Sequence, residues 1–329
     1  MYLSKSNFDF TGKRVLLRID ADVDLKKKGK GWVVDEDYRL SCALPSIRFL
    51  QEKKVEQIVL LGHLGRPGGK IVKDLSLRPV ANWFEKRLGK KEKLVLLENL
   101  RFSSGEKNKD IDFVKKLAVP GEVFVNDAFG SSHRDHASIT GLPQALPSFL
   151  GLRIEGEVKT LSWLKAHSPR PLVFVLGGSK KGKVDYLDFL SSWADQLLVG
   201  GKLPKLVQNL KLKAKSQKKK LVFGKLNKAG KDIDKRTIKK FKKAIAGAKT
   251  IVWAGPMGVY EEKENRAGTQ EIAKAIAESR AFKIAGGGDT HRVLSQLRLW
   301  SCFNFVSTGG GAMLQFLKDE TLPGIKAIK

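Results

Sequence analysis

The nonapeptide Gly62–Lys70, GHLGRPGGK, follows directly on the apolar run QIVLL. Four glycines, one His, one Arg and one Lys cannot fill a core. At the end of a buried strand they free backbone N–H groups and concentrate positive charge. Asp20, Asp22, Arg101 and the stretch NDAFGSSHRDHAS (Asn126–Ser138) fall at other strand ends of the first half, and Arg39 sits just inside a helix start after DED. Guanidinium groups so placed suit bidentate recognition of phosphate and carboxylate, although a single one suits a surface ion pair equally well. Arg39, Arg66, Arg134 and Arg170 are all expected at equivalent ends of α/β units, which favours a shared anionic ligand. His63, His133 and His136 are metal-ligand types, but no Cys or carboxylate spacing completes a zinc site.

The second half carries a different chemistry. In LVFVLGGSKKGKV, Gly177, Gly182 and Lys183 satisfy G-x-x-x-x-G-K, but Val184 stands where a P-loop places Ser or Thr for Mg²⁺. The segment therefore reads as a glycine–lysine turn approaching phosphate. AGGGDT (Ala285–Thr290) sets three glycines and Asp289 before the helical run HRVLSQL. Amides at a helix start attract phosphate, and the adjacent carboxylate can hold a phosphate-bridging Mg²⁺. VSTGGGAML (Val306–Leu314) repeats the device. Tight packing accounts for one such turn; three in one half favour a nucleotide.

The elements that position these residues are short apolar runs alternating with helical patterns. RVLLRIDADV, QIVLLGHL, KLVLLENL and EVFVNDA occur in the first half, and PLVFVLGG, QLLVGG, TIVWAGP, FKIAGGG and FNFVSTGGG in the second. Runs apolar throughout suit parallel strands covered on both faces, and Tyr38–Glu52, Leu77–Leu88 and Gly268–Ser279 carry helix spacing between them. The alternation predicts an α/β protein of two doubly wound parallel-sheet domains joined by a helix, Glu155 to about Ala166, that ends at Ser168 and two prolines. The expected domains are 1–168 and 169–317.

The chain has 329 residues, 42% hydrophobic, with 62 Lys and Arg against 34 Asp and Glu, a formal charge of +28. The excess lies in runs such as Lys211–Lys220 and Lys235–Lys249; in the latter Ile238, Phe241, Ala244 and Ile245 are spaced for one helix face, so the lysines form its wet side. A nucleic-acid surface calls for interleaved exposed aromatics, which these runs lack, and no nucleic-acid partner is expected. No apolar run reaches membrane-spanning length, the N-terminus lacks a signal-peptide core, and Cys42 and Cys302 suggest no disulfide framework. A cytoplasmic protein without membrane partners is expected.

The motifs KRVLLRIDADVDL, DYRLSCALPSI, GHLGRP, LLENLRF, VNDAFGSSHRDHAS, LGGSK, VWAGPMGVYE, GGGDT and VSTGGGAMLQFL, in that order, resemble the phosphoglycerate kinase family from about residue 10 to the C-terminus. The resemblance implies reversible phosphoryl transfer between 1,3-bisphosphoglycerate with ADP and 3-phosphoglycerate with ATP. It also implies Mg²⁺ with the nucleotide, a monomer, and closure about a hinge. On matching positions it places Asp20, Asp22, Arg39, His63, Leu64, Gly65, Arg66, Arg134 and Arg170 at the phosphoglycerate. Gly177, Gly178, Ser179, Lys180, Lys183, Gly200, Gly201, Pro256, Gly258, Val259, Glu261 and Gly287–Thr290 (with Gly288) fall at the nucleotide, Asp289 being the metal residue. Arg39, Lys180 and Gly309, Gly310 and Gly311 fall at the transferring group, and the tail of about 318–329 returns to the first domain.

Four departures stand out. The family's Asp–Phe–Asn reads Asp20-Ala21-Asp22, its Trp–Asn–Gly–Pro reads Trp253-Ala254-Gly255-Pro256, and Lys181-Gly182-Lys183 is one residue short. Gly200–Asp234 is shorter than its family counterpart. Besides an active, trimmed kinase, the departures leave an altered-acceptor member, or a non-catalytic member using its basic surface on polyanions.

Overall fold

The computed structural model describes residues 1–29, 31–89, 93–207 and 220–328. They form two compact units, Met1–Lys159 with Thr321–Lys329, and Thr160–Glu320. The division falls inside the helix Leu152–His167, upstream of the expected boundary at its end. Residues 211–219 of the first lysine run lie outside the described residues.

The first unit contains β1 (Arg14–Arg18), an antiparallel hairpin of β2 (Asp24–Lys28) and β3 (Gly31–Glu36), then β4 (Gln57–Leu61), β5 (Leu94–Leu96), β6 (Val123–Asn126) and β7 (Ser148–Leu150). Five of them form a parallel sheet in the order β5-β4-β1-β6-β7. Val15, Leu16 and Leu17 of β1 are buried, as is all of β6, so both faces are covered and the strands read as unbroken apolar runs. The hairpin escaped the sequence reading because DLKKK puts three exposed lysines on a strand with no apolar alternation.

The second unit contains β8 (Leu172–Leu176), β9 (Gln196–Val199), β10 (Leu221–Phe223), β11 (Thr250–Ala254), β12 (Phe282–Gly286) and β13 (Phe305–Ser307) in one parallel sheet of order β10-β9-β8-β11-β12-β13. Both sheets are doubly wound: the chain builds outward on one side of β1 or β8, then returns to build on the other. Each therefore has a switch point at its first strand, and ligands of such sheets bind outside the carboxyl ends there. The helix Lys235–Ala246 buries Phe241 and Ile245 and turns its lysines to solvent, with Asp234 capping its start through a 2.7 Å bond from Thr237 N–H.

Candidate active site

The carboxyl end of β1 gathers the first set of residues. Arg18, only 1% exposed, donates from Nε to Ser138 Oγ at 2.9 Å and from its terminal nitrogen to His63 Nδ1 at 2.9 Å. Asp20 accepts from Gly130 N–H (2.7 Å) and Ser131 O–H (3.0 Å). Asp22 Oδ1 accepts from Gly65 N–H at 2.8 Å, and Arg39 donates to the Asp22 carbonyl. Arg101 holds Gly65 from the other side, donating to its carbonyl at 2.8 Å. Two carboxylates and two buried arginines, Arg18 and Arg101, thus fix the loops that carry the other cations.

Those cations converge. Burial and then Arg18, Arg134 and Arg39 hold His63 far below the ordinary histidine range. Burial and then Arg66 pull the Arg134 guanidinium down. A buried neutral imidazole ringed by arginines is a site for an anion, since a bound negative charge relieves the mutual repulsion.

Leu64, expected at the ligand, packs its side chain into the apolar core, two residues past the glycine that follows β4. Arg170 is a correction. It precedes β8, so it lies at the amino end of its strand, not at a carboxyl end, and it donates to the Trp193 carbonyl at 2.7 Å and pairs with Asp195 at 3.2 Å in the second unit. Arg18 was missed, although an arginine inside the apolar RVLLRI was a visible signal that something polar lies below the sheet end.

In the second unit a cleft of about 370 Å³ opens beside the carboxyl end of β8. Of the expected residues, Gly178, Ser179, Lys180, Gly201, Pro256, Gly258, Val259, Glu261 and Asp289 line it. Lys202, Lys231 and Tyr260 join them unforeseen. Lys180 Nζ stands 3.4 Å from Asp289 Oδ2 at the cleft wall. Gly177 is required by close approach: a Cβ there would sit 2.2 Å from the Pro256 carbonyl. Gly287 (φ +104°) and Gly310 meet backbone to backbone, which joins the turn after β12 to the start of the helix Gly310–Asp319.

Three expected residues serve the cleft from behind. Lys183 turns Nζ onto the carbonyls of Gly177 (2.7 Å) and Ala254 (2.9 Å), and burial, with Lys180 nearby, pushes its ammonium down to about 8. Thr290 is buried, accepting from Gly255 N–H at 2.9 Å and donating to the Gly286 carbonyl at 3.1 Å. The N–H of Gly309 is taken by Ser307 Oγ at 3.3 Å, leaving Gly310 and Gly311 to open the helix.

A family model described as phosphoglycerate kinase matches residues 5–222 and 206–320. The chain belongs to the phosphoglycerate kinase family. A phosphoglycerate kinase of Solibacter usitatus is 35% identical over 388 aligned positions, covering 99% of each chain, and one of Thermosipho africanus is 36% identical over 396, covering 99% of this chain and 97% of its own. Among solved structures, phosphoglycerate kinase from Coxiella burnetii superposes with a TM-score of 0.76 at 32% identity over 100% of this chain and 98% of its own. That from Pyrococcus horikoshii gives 0.80 at 27% over 99% and 98%. Membership makes the chain a phosphotransferase with a carboxyl acceptor. The two segments of the family match meet at 206–222, inside the stretch Gly200–Asp234 that the sequence marks as short.

Two departures from the family pattern now have structural settings. Ala21, where the family has Phe, is fully buried, and a Cβ on Gly62 would lie 2.7 Å from its own. Ala254, where the family has Asn, still offers its carbonyl to Lys183. No helix among the described residues is long and apolar enough to cross a membrane.

Proposed function

We propose that the chain catalyses reversible phosphoryl transfer between ATP and 3-phosphoglycerate, yielding ADP and 1,3-bisphosphoglycerate, as a step of glycolysis. One observation carries the reading: the two sheets present chemically different sites at the same topological position. The site beyond β1 is cationic, with His63, Arg39, Arg66 and Arg134, and suits the acid. The cleft beyond β8 is built of glycine turns with Lys180 and Asp289 and suits the nucleotide.

In the forward sense written here, a carboxylate oxygen of 3-phosphoglycerate forms a bond to the γ-phosphorus while the bond to the β-phosphate oxygen breaks. The nucleophile is already deprotonated, so no general base is needed. Catalysis then rests on alignment and on compensating charge at the equatorial oxygens. Arg39, Lys180 and the amides at Gly310 and Gly311 supply that charge when closure of the units brings the two ligands together and excludes water. Among the described residues no three His, Cys, Asp or Glu side chains gather to hold a metal, and Asp289 is the carboxylate beside Lys180. A lone carboxylate fits Mg²⁺, which keeps waters and takes its other ligands from phosphates. Bound there, Mg²⁺ offsets charge on the nucleotide. Two free cysteines accord with a reducing cytoplasm.

A coupled assay with ATP, Mg²⁺ and 3-phosphoglycerate tests the proposal. Turnover is expected, and Lys180→Met is expected to lower kcat by roughly 10²–10³ with the fold intact. Absence of turnover, with salt-sensitive binding of nucleic acid in its place, would overturn it.

A further inference from the structure

The Arg18–His63 contact has a consequence for the proton of the imidazole. A guanidinium nitrogen can only donate, so at 2.9 Å the His63 Nδ1 facing it must offer a lone pair. An imidazolium, with N–H on both nitrogens, would point a hydrogen at a hydrogen. The proton of His63 is therefore on Nε2.

Arg18 has no freedom to relax that demand. Its Nε is tied to Ser138 Oγ at 2.9 Å, and its other terminal nitrogen reaches the carbonyls of Ile19 and Leu61, the latter at 3.5 Å. Ser138 is held in turn, its hydroxyl donating to Glu106 Oε1 at 2.7 Å and its N–H to Oε2 at 3.0 Å. Glu106 is fully buried and compensates the charge of Arg18. Donation along the chain Glu106–Ser138–Arg18–His63 thus runs outward from the arginine to both ends.

We propose that Arg18 is a positioning residue that locks His63 in its Nε2–H tautomer, so that His63 presents a hydrogen-bond donor, never a lone pair, to the anion held beyond β1. The groups facing His63 all favour this state. Arg18, Arg39, Arg134 and His136 oppose a second proton, and Asp22 Oδ2 lies 3.9 Å from Nε2, on the donor side but too far to take the hydrogen bond. The Nε2–H is left for the ligand. A histidine with its ordinary proton affinity would change charge between pH 6 and 7 and exchange tautomers; this one keeps a single donor across that range. That the anion is 3-phosphoglycerate rests on the function proposed above, whereas the lock itself is a property of the empty protein.

The test is long-range ¹H–¹⁵N correlation on the full chain with ¹⁵N-labelled histidine and no ligand, His63 being assigned by its loss in His63→Gln. The wild type is expected to show His63 as the pure Nε2–H form, unchanged from pH 6 to 8. Arg18→Met removes the donor at similar length; His63 should then populate both tautomers, while burial, Arg134 and Arg39 still oppose its second proton. KM for 3-phosphoglycerate should rise about tenfold, because part of the population then turns a lone pair to the anion. Arg18→Lys, which donates again, should restore the tautomer. A wild-type His63 with its proton on Nδ1, or doubly protonated at pH 7, overturns the proposal even if no variant folds. So does an unaltered tautomer in folded Arg18→Met. If His63→Gln leaves KM unchanged, the substrate assignment fails, and the ligand-free spectrum still decides the lock.

Discussion

Replacing Asp22 with Asn alters one atom and one charge at the mouth of the site beyond β1. The bond from Gly65 N–H to Oδ1 survives, because an amide oxygen accepts equally well, so the loop keeps its anchor. What disappears is a negative charge 3.9 Å from His63 Nε2. A ligand oxygen accepting from that N–H at about 3 Å would lie roughly 5 Å from Oδ2. The Asp22 side chain is 45% exposed, so an effective dielectric midway between protein surface and water applies. At about 40, the repulsion per ligand charge is about 1.7 kcal/mol. Screening trims this to about 1–1.5 kcal/mol, a KM for 3-phosphoglycerate roughly tenfold lower in Asp22→Asn, with kcat changed less than about twofold. The coupled assay at low and high salt measures it, and the gap should narrow as salt rises. An unchanged KM at low salt means that Asp22 does not face the substrate. A raised KM means that the carboxylate helps binding, through Arg39 or Arg134, and the repulsion argument is wrong.

Gly62→Ala forces a Cβ to 2.7 Å from that of Ala21, both fixed to backbone, and should cost about 1–3 kcal/mol in urea unfolding; an unshifted midpoint would show that the β1 and β4 ends part freely. Asp127 is buried with Oδ2 unpartnered, and burial pushes its carboxyl up to about 7. The folded state then binds more protons than the unfolded between about 4 and 7, so this group's stabilisation is complete below about 4 and lost as pH rises through 7, about 3–4 kcal/mol in all. Asp127→Asn should flatten Tm against pH over that range, and an identical slope in both proteins refutes the assignment. Lys183 has the opposite sign: its ammonium, pushed down to about 8, binds fewer protons when folded, so stability should climb by up to about 3 kcal/mol from pH 8 to 10.5. Lys183→Met should remove that rise; a wild type flat over the window, relative to the variant, counts against it.

The sheets were legible because parallel strands covered on both faces are apolar throughout, and LVFVL and TIVWA are short, β-branched runs closed by glycine turns. The hairpin was not legible, since its lysine-rich strand is an edge that pairs only with its neighbour. Within the sites, residues that face solvent and bear charge, such as Arg39, Arg66, Lys180 and Asp289, announce themselves by type and by their place after a strand or at a helix start. Residues that act from beneath do not. Lys183 and Thr290 look in sequence like ligand contacts, yet both spend their polar atoms on backbone. Arg170 carries the right side chain on the wrong side of its strand, a distinction of one element boundary.

The division between reaching and supporting residues also explains how the chain tolerates its departures. Lys183 grips the carbonyl at position 254, which Ala supplies as well as Asn, so losing that side chain leaves the glycine turn after β8 closed. Asp22 keeps the Gly65 anchor that an Asn would provide. Ala21 and Gly62 pack directly against each other, so that a Cβ on Gly62 would lie 2.7 Å from that of Ala21. In each case the backbone contacts persist, and only at Asp22 does the change reach the solvent-facing chemistry. The cost of a departure should therefore appear in KM before it appears in stability, and Asp22→Asn, which touches only the solvent-facing charge, separates the two.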